Sequence, residues 1–182
     1  SQIPLTDTLQ QSLQTEWAHQ LRDFCHNVRE VPFDAGYKPE SDERFIINGF
    51  TLPEALRITR ESVNTLGNFQ ATEETLKQLT ALIAFARRGN QEVVMIQRFT
   101  STHVIKPGRF LYMGPEHFES NSSPGLTLGN KSDAVYFPTG EKLVFANYRN
   151  ANAILPLADF YEEASETDIR EVLSHEKLAA ED

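Results

Sequence analysis

The sequence predicts an α+β domain: an antiparallel meander sheet over about residues 93–146, packed by N-terminal and C-terminal helices. Three observations lead there. Apolar residues recur three or four apart in the N-terminal part, alternate or run continuously from Gln91 to Ala146, and return to helical spacing after Arg149. Most of the strand candidates are joined by connections shorter than the dozen or so residues that a parallel crossover requires. Turn-forming residues, Pro107-Gly108 and Pro138-Thr139-Gly140-Glu141, separate them.

Leu9, Leu13, Trp17, Leu21 and Phe24 stack along one face of a first helix, which Thr6 can cap and Asp7 can favour through the helix dipole. Pro32, Gly36 and Pro39 break residues 29–53 into loops around one short strand at Phe45-Ile46-Ile47. Pro53 opens a helix over 54–63. A further helix is expected from Thr72 to Arg88. Thr72 is a cap, Glu73 and Glu74 lie in the first turn, and Leu76, Leu79, Leu82, Ile83 and Ala86 form one face. Arg87 and Arg88 then close the last turn, with Gly89 beyond it.

The run 93–99 is apolar almost throughout, as a strand buried on both faces would be. Further strands are expected at 102–106, 109–113, 126–128, 134–137 and 143–146. Helical spacing returns at Ile154-Leu155 and 157–164, with more helix after Thr167 and Ser174. Residues 1–164 read as one domain, and 165–182 as a helical tail or the start of a following segment.

Composition narrows the classes of function. The 182 residues are 40% hydrophobic and 24% charged, which supplies a core and excludes disorder of the whole chain. No apolar stretch nears the roughly 20 residues of a membrane span, and the N-terminus lacks a signal-peptide pattern. One cysteine, Cys25, excludes an internal disulfide and a cysteine-rich zinc site and points to the cytoplasm. The net charge of −9 divides unevenly: −5 over residues 1–85, +3 over 86–155 and −7 over 156–182. A basic middle section in an acidic chain can steer a polyanion to one face or pair with another copy.

Enzyme signatures are missing. There is no glycine-rich dinucleotide or phosphate loop, no Gly-x-Ser-x-Gly and no His-Glu-x-x-His, since Ala179 stands where the second histidine after His175-Glu176 would be. His19 and His26 lack ligand spacing, and Glu162, Glu163 and Asp168 read as a solvated acidic face. His103, His117 and Asp133 could meet in space or simply sit at strand ends. The sequence therefore reads as a non-catalytic module, with no cofactor or metal expected.

The remaining chemistry is basic residues interleaved with aromatics: Arg98-Phe99, His103, Lys106, Arg109-Phe110 and Tyr112, read as two adjacent strands. Arg and Lys so placed can hold phosphates while aromatic rings stack on bases. They can equally be edge protection beside core aromatics. Lys106, just before Pro107-Gly108, should emerge near Arg109 and Arg98, with Lys131 as a fourth contact. Two sequons, at Asn121 and Asn130, carry no meaning without secretion.

Several strings also resemble one family. They are Val31-Pro32-Phe33-Asp34, Gly36-Tyr37-Lys38-Pro39, Phe45-Ile46-Ile47, Ile96-Gln97-Arg98-Phe99, Val104-Ile105-Lys106 and Arg109-Phe110-Leu111. Leu126-Thr127-Leu128, the run from Lys131 to Phe137 and Tyr161-Glu162-Glu163-Ala164 complete the set. Together they resemble the KwaB-like family, the DNA-associated component of the bacterial Kiwa anti-phage defence system, over residues 31–182. The resemblance implies a cytoplasmic protein that binds DNA, associates with itself and works beside a membrane-embedded partner protein. Members of that family are longer, which implies an N-terminal fragment or a short stand-alone relative. Two functions follow as expectations. One is a DNA-binding defence module acting by occupancy through Arg98, Lys106, Arg109 and Lys131. The other is a scaffold whose acidic C-terminal helices dock a basic or membrane-embedded partner.

Overall fold

The computed structural model describes residues 1–62, 65–88 and 91–160. A six-stranded sheet forms its centre, in the order β1(Arg29–Pro32), β2(Glu43–Ile47), β10(Lys142–Phe145), β9(Ala134–Phe137), β4(Gln91–Arg98) and β3(Ala81–Arg88). Every pairing is antiparallel except β1 with β2, which is parallel. Helix α1(Asp7–Cys25) lies on one face; α2(Glu54–Glu61) and α4(Tyr148–Asn152) belong to the other, and α3(Glu73–Lys77) is a short turn of helix before β3. This is the α+β class that the periodicities predict.

The layering follows from strand alternation. Val93 and Met95 point with Val135 and Val144 toward Trp17, Leu21 and Phe24 of α1. Val94 and Ile96 point the other way, with Tyr136, Leu143, Phe145, Phe45 and Ile47, under Phe50, Leu52, Ala151, Leu155 and Leu157. Residues 93–97 are all buried, so β4 is dry on both faces, as its apolar run predicts. Thr6 caps α1 through its side chain, which accepts from the Leu9 N–H.

The sheet is wider than expected, and one predicted helix is largely strand. Thr72 does cap a helix, with Thr75 completing a capping box, but the helix ends at Lys77. Residues 81–88 form β3 instead, paired with β4 along their whole length from Ala81↔Arg98 to Arg88↔Gln91. The apolar run Ala81-Leu82-Ile83-Ala84-Phe85-Ala86 fits helix or strand by spacing; alternate side chains join the two cores, which decides for strand. Residues 29–32, expected as loop, are β1.

The strands expected at 102–106 and 109–113 do not join the sheet. Among the described residues β5(Val104–Ile105) pairs only with β8(Gly125–Leu126), and β6(Leu111–Met113) only with β7(Phe118–Ser120). Residues 104–126 thus form an arm outside the sheet, leaving after β4 and returning before β9. The helix end at Val63, the turn at Gly89, the segment from Tyr161 to Ala164, the acidic helices after Thr167 and Ser174, and the tail 165–182 lie outside the described residues.

Glu43 shows how the parallel edge is held. Its carboxylate is buried on β2 and accepts from the Tyr37 hydroxyl at 2.6 Å, the Glu40 N–H at 2.8 Å and the Arg29 guanidinium. The Tyr37 and Glu40 hydrogen bonds hold this carboxyl below its ordinary range. A carboxyl whose folded pKa lies below its unfolded one stabilises above the unfolded value of about 4.3. That contribution disappears as pH falls through the folded value. Glu43→Gln is therefore expected to unfold at lower urea than the parent at neutral pH, with the gap narrowing as the medium is acidified below about pH 4.

Core and arm should differ sharply in their response to truncation. Ile96→Ala, with a fully buried side chain, is expected to cost about 2–5 kcal/mol. Leu111→Ala on the arm should stay within about 0.5 kcal/mol. Urea-unfolding midpoints for the two variants check this.

Candidate nucleic-acid interface

The first turn of the arm, just after β5, has a conformation dictated by two residues. Pro107 sets φ for the second position, and Gly108 takes φ +69°, which only glycine adopts without strain. The Arg109 N–H donates to the Lys106 carbonyl at 3.1 Å and closes the turn. Lys106 and Arg109 consequently stand on either side of it, both exposed. Neither side chain has an ion-pair partner among the described residues.

Asn121 holds the turn from the returning strand. Its Oδ1 accepts from the Phe110 N–H at 2.9 Å, and its Nδ2 donates to the carbonyls of Lys106 at 3.0 Å and Ser123 at 2.8 Å. Its backbone carbonyl accepts from the Gly108 N–H at 2.8 Å. Asn121 is thus the positioning residue of the basic turn. In the sequence it stands out only as a sequon; what marks its role is an amide side chain able to donate and accept at once.

Arg98 and Lys131 lie elsewhere, at the C-terminal end of β4. The neighbours of β4 are β3 and β9, so Arg98 is not on a strand adjacent to Arg109, which corrects the expectation of one contiguous basic patch on two adjacent strands. Arg98 is half-buried, and its Nη1 donates to Asn150 Oδ1 at 3.3 Å. Asp133 accepts from the Arg98 N–H at 2.6 Å and from Asn150 Nδ2 at 2.8 Å. Lys131 is exposed, and its carbonyl accepts from Gln97 Nε2 at 3.1 Å, which brings it to the same end of β4. Gln97 also donates to Gln20 on α1 and to the Gly129 carbonyl, both at 2.9 Å, tying the loop after the arm to the core.

Two of the acids that flank these cations in sequence are engaged, and Glu92 stands at the opposite end of β4 from Arg98. Glu92 accepts both Arg60 donors, at 2.8 and 2.9 Å, and the Arg60 guanidinium holds its carboxyl below the usual range. Glu119 accepts from the Tyr112 hydroxyl at 3.0 Å. Glu116 is exposed near the tip of the hairpin, which the Gly114 N–H to His117 carbonyl bond closes.

His103, His117 and Asp133 do not meet as a site. His103 Nδ1 accepts from the Thr100 N–H at 3.1 Å, His117 lies 3.9 Å from Glu119, and Asp133 braces the end of β4. No group of His, Cys, Asp and Glu among the described residues could hold a metal ion. No helix among them is long and apolar enough to cross a membrane.

Sequence reasoning missed the outward face of the arm. Leu111, Met113 and Phe118 are 64%, 61% and 68% exposed, with Phe110 beside them also exposed. Period-two apolar character placed Leu111 and Met113 on a sheet strand at 109–113 and left Phe118 outside any strand, and no sequence signal separates a sheet strand from an uncovered ribbon. Comparison with protein-family models, curated proteins and solved structures finds no match to this chain.

Asn121→Ala is expected to raise hydrogen exchange at the Phe110 amide while moving global stability by less than about 0.5 kcal/mol. Amide exchange followed by NMR, alongside urea unfolding, checks both parts.

Proposed function

We propose that this chain is a DNA-binding module that acts by occupying DNA, holding phosphates with Lys106 and Arg109 on the arm and with Arg98 and Lys131 at the end of β4. The observation that carries the reading is the pair Lys106 and Arg109: exposed, without an ion-pair partner among the described residues, and fixed on a turn by Gly108 and Asn121. Two cations held side by side repel each other, and a phosphate backbone relieves that repulsion while releasing counterions. The net charge of −9 opposes broad affinity, so the contact is local. The resemblance to the KwaB-like family supports the same reading. It adds a cytoplasmic setting, self-association and a membrane-embedded partner protein of the same defence system.

The test is a charge reversal read through salt. Lys106→Glu should remove most of the affinity for duplex DNA and reduce the slope of log affinity against log salt by about one unit, with stability within about 0.5 kcal/mol of the parent. Arg109→Glu should do the same. A variant that binds as the parent does makes these cations ordinary surface charge and removes the DNA reading.

A further inference from the structure

The arm has two unlike faces. In the β6–β7 register Leu111 lies opposite Ser120 and Met113 opposite Phe118, so Leu111, Met113, Phe118 and Ser120 share one face. Tyr112 and Glu119 share the other and are hydrogen-bonded to each other. The first face carries no charge, is open to solvent, and begins two residues from Arg109.

We infer that this apolar face is a wedge that inserts between base pairs of duplex DNA, bending it, while Lys106 and Arg109 grip the phosphates at the lip of the groove. The inference rests on the DNA reading above and names the form of DNA preferred: a duplex that is already kinked or easily unstacked.

Two magnitudes favour a wedge over a docking surface for another protein. Even at the roughly 150–250 Å² that an aromatic side chain covers, the three side chains of this face, each about two-thirds exposed, offer on the order of 400 Å². A stable protein interface needs roughly 800 Å² per partner, whereas unstacking a base step takes only one or two inserted apolar side chains. Reach agrees as well. Two residues of chain separate Leu111 at the start of β6 from Arg109 in the turn, at most about 7 Å, within the groove depth of roughly 7.5–8.5 Å. Cations at the lip and hydrophobes near the floor form the arrangement that minor-groove wedges use. Glu116 at the tip works against it, so Glu116→Gln should tighten binding.

The probes are a fully paired duplex and the same duplex with a central mismatch, carrying donor and acceptor dyes at its ends. The parent should bind the mismatched duplex about tenfold more tightly, because part of the unstacking cost is already met, and should bring the dyes closer. Leu111→Ser/Met113→Ser/Phe118→Ser should lose the preference and the bend yet keep the parent's salt slope. Phe118→Ser alone should lose part of both, which keeps the test informative if the triple variant misfolds. Equal binding to both duplexes without bending overturns the wedge, as does a folded triple variant that still bends DNA. Light scattering that shows the parent associating through this face, with DNA left straight, overturns it in favour of protein docking. A parent that binds neither duplex removes the DNA reading itself, a result separate from failure of the wedge alone.

Discussion

The organisation of the molecule depends on keeping β4 out of water on both faces. Val93 and Met95 are covered by α1, and Val94 and Ile96 by the layer containing Phe50, Leu52, Ala151, Leu155 and Leu157. Neither layer can leave without exposing half of the central strand, so the two apolar clusters act as one cooperative core. The strand ends where polarity returns. Gln97 is still buried, and its amide must find acceptors, which it does on Gln20, Gly129 and Lys131. The polar end of β4 thus fixes where the chain comes back after the arm.

Much of this core is legible in the sequence because its signals are local. The helical spacing from Leu13 to Phe24, the continuous run at β4 and the hairpin between β9 and β10 each specify their own structure, although Leu9 of the same stripe stays exposed. β3 is not legible in the same way. Leu76, Leu79, Leu82 and Ile83 fit a helical face after a well-formed cap, and the helix does start where Thr72 places it. Pairing with β4 over eight residues outweighs the propensity that would have continued it. Phe45-Ile46-Ile47 is legible as part of β2, but β1 and the start of β2 are obscured for another reason: Glu43 reads as a surface residue, and its burial depends on Tyr37 and Arg29 folding over it.

The site divides along the same line. The Lys106–Arg109 turn can be read directly, since Pro-Gly dictates its backbone. Placing Arg98 beside it required knowing which strands are neighbours, and parity along a chain cannot say whether two consecutive strands pair. Asn121 acts across fifteen residues on the Lys106 carbonyl, a link with no local pattern. The outward face of Leu111, Met113 and Phe118 carries the spacing of a core strand, and only the tertiary structure shows that nothing covers it among the described residues.

The arm also has a consequence for how such a molecule can change. It departs from one strand and returns to that strand's hydrogen-bonded neighbour, and Asp133 fastens the return by accepting the Arg98 N–H and donating its own to the Ile96 carbonyl. The two points of attachment are therefore side by side, and the pairing of β4 with β9 does not pass through the insertion. Replacing the excursion with a short connection would leave the six-stranded sheet its own edges and order. The scaffold and its appendage are physically separable parts. Lengthening, shortening or recharging the ribbon alters what the protein touches at little cost to whether it folds, and that freedom allows recognition to diversify on a constant framework.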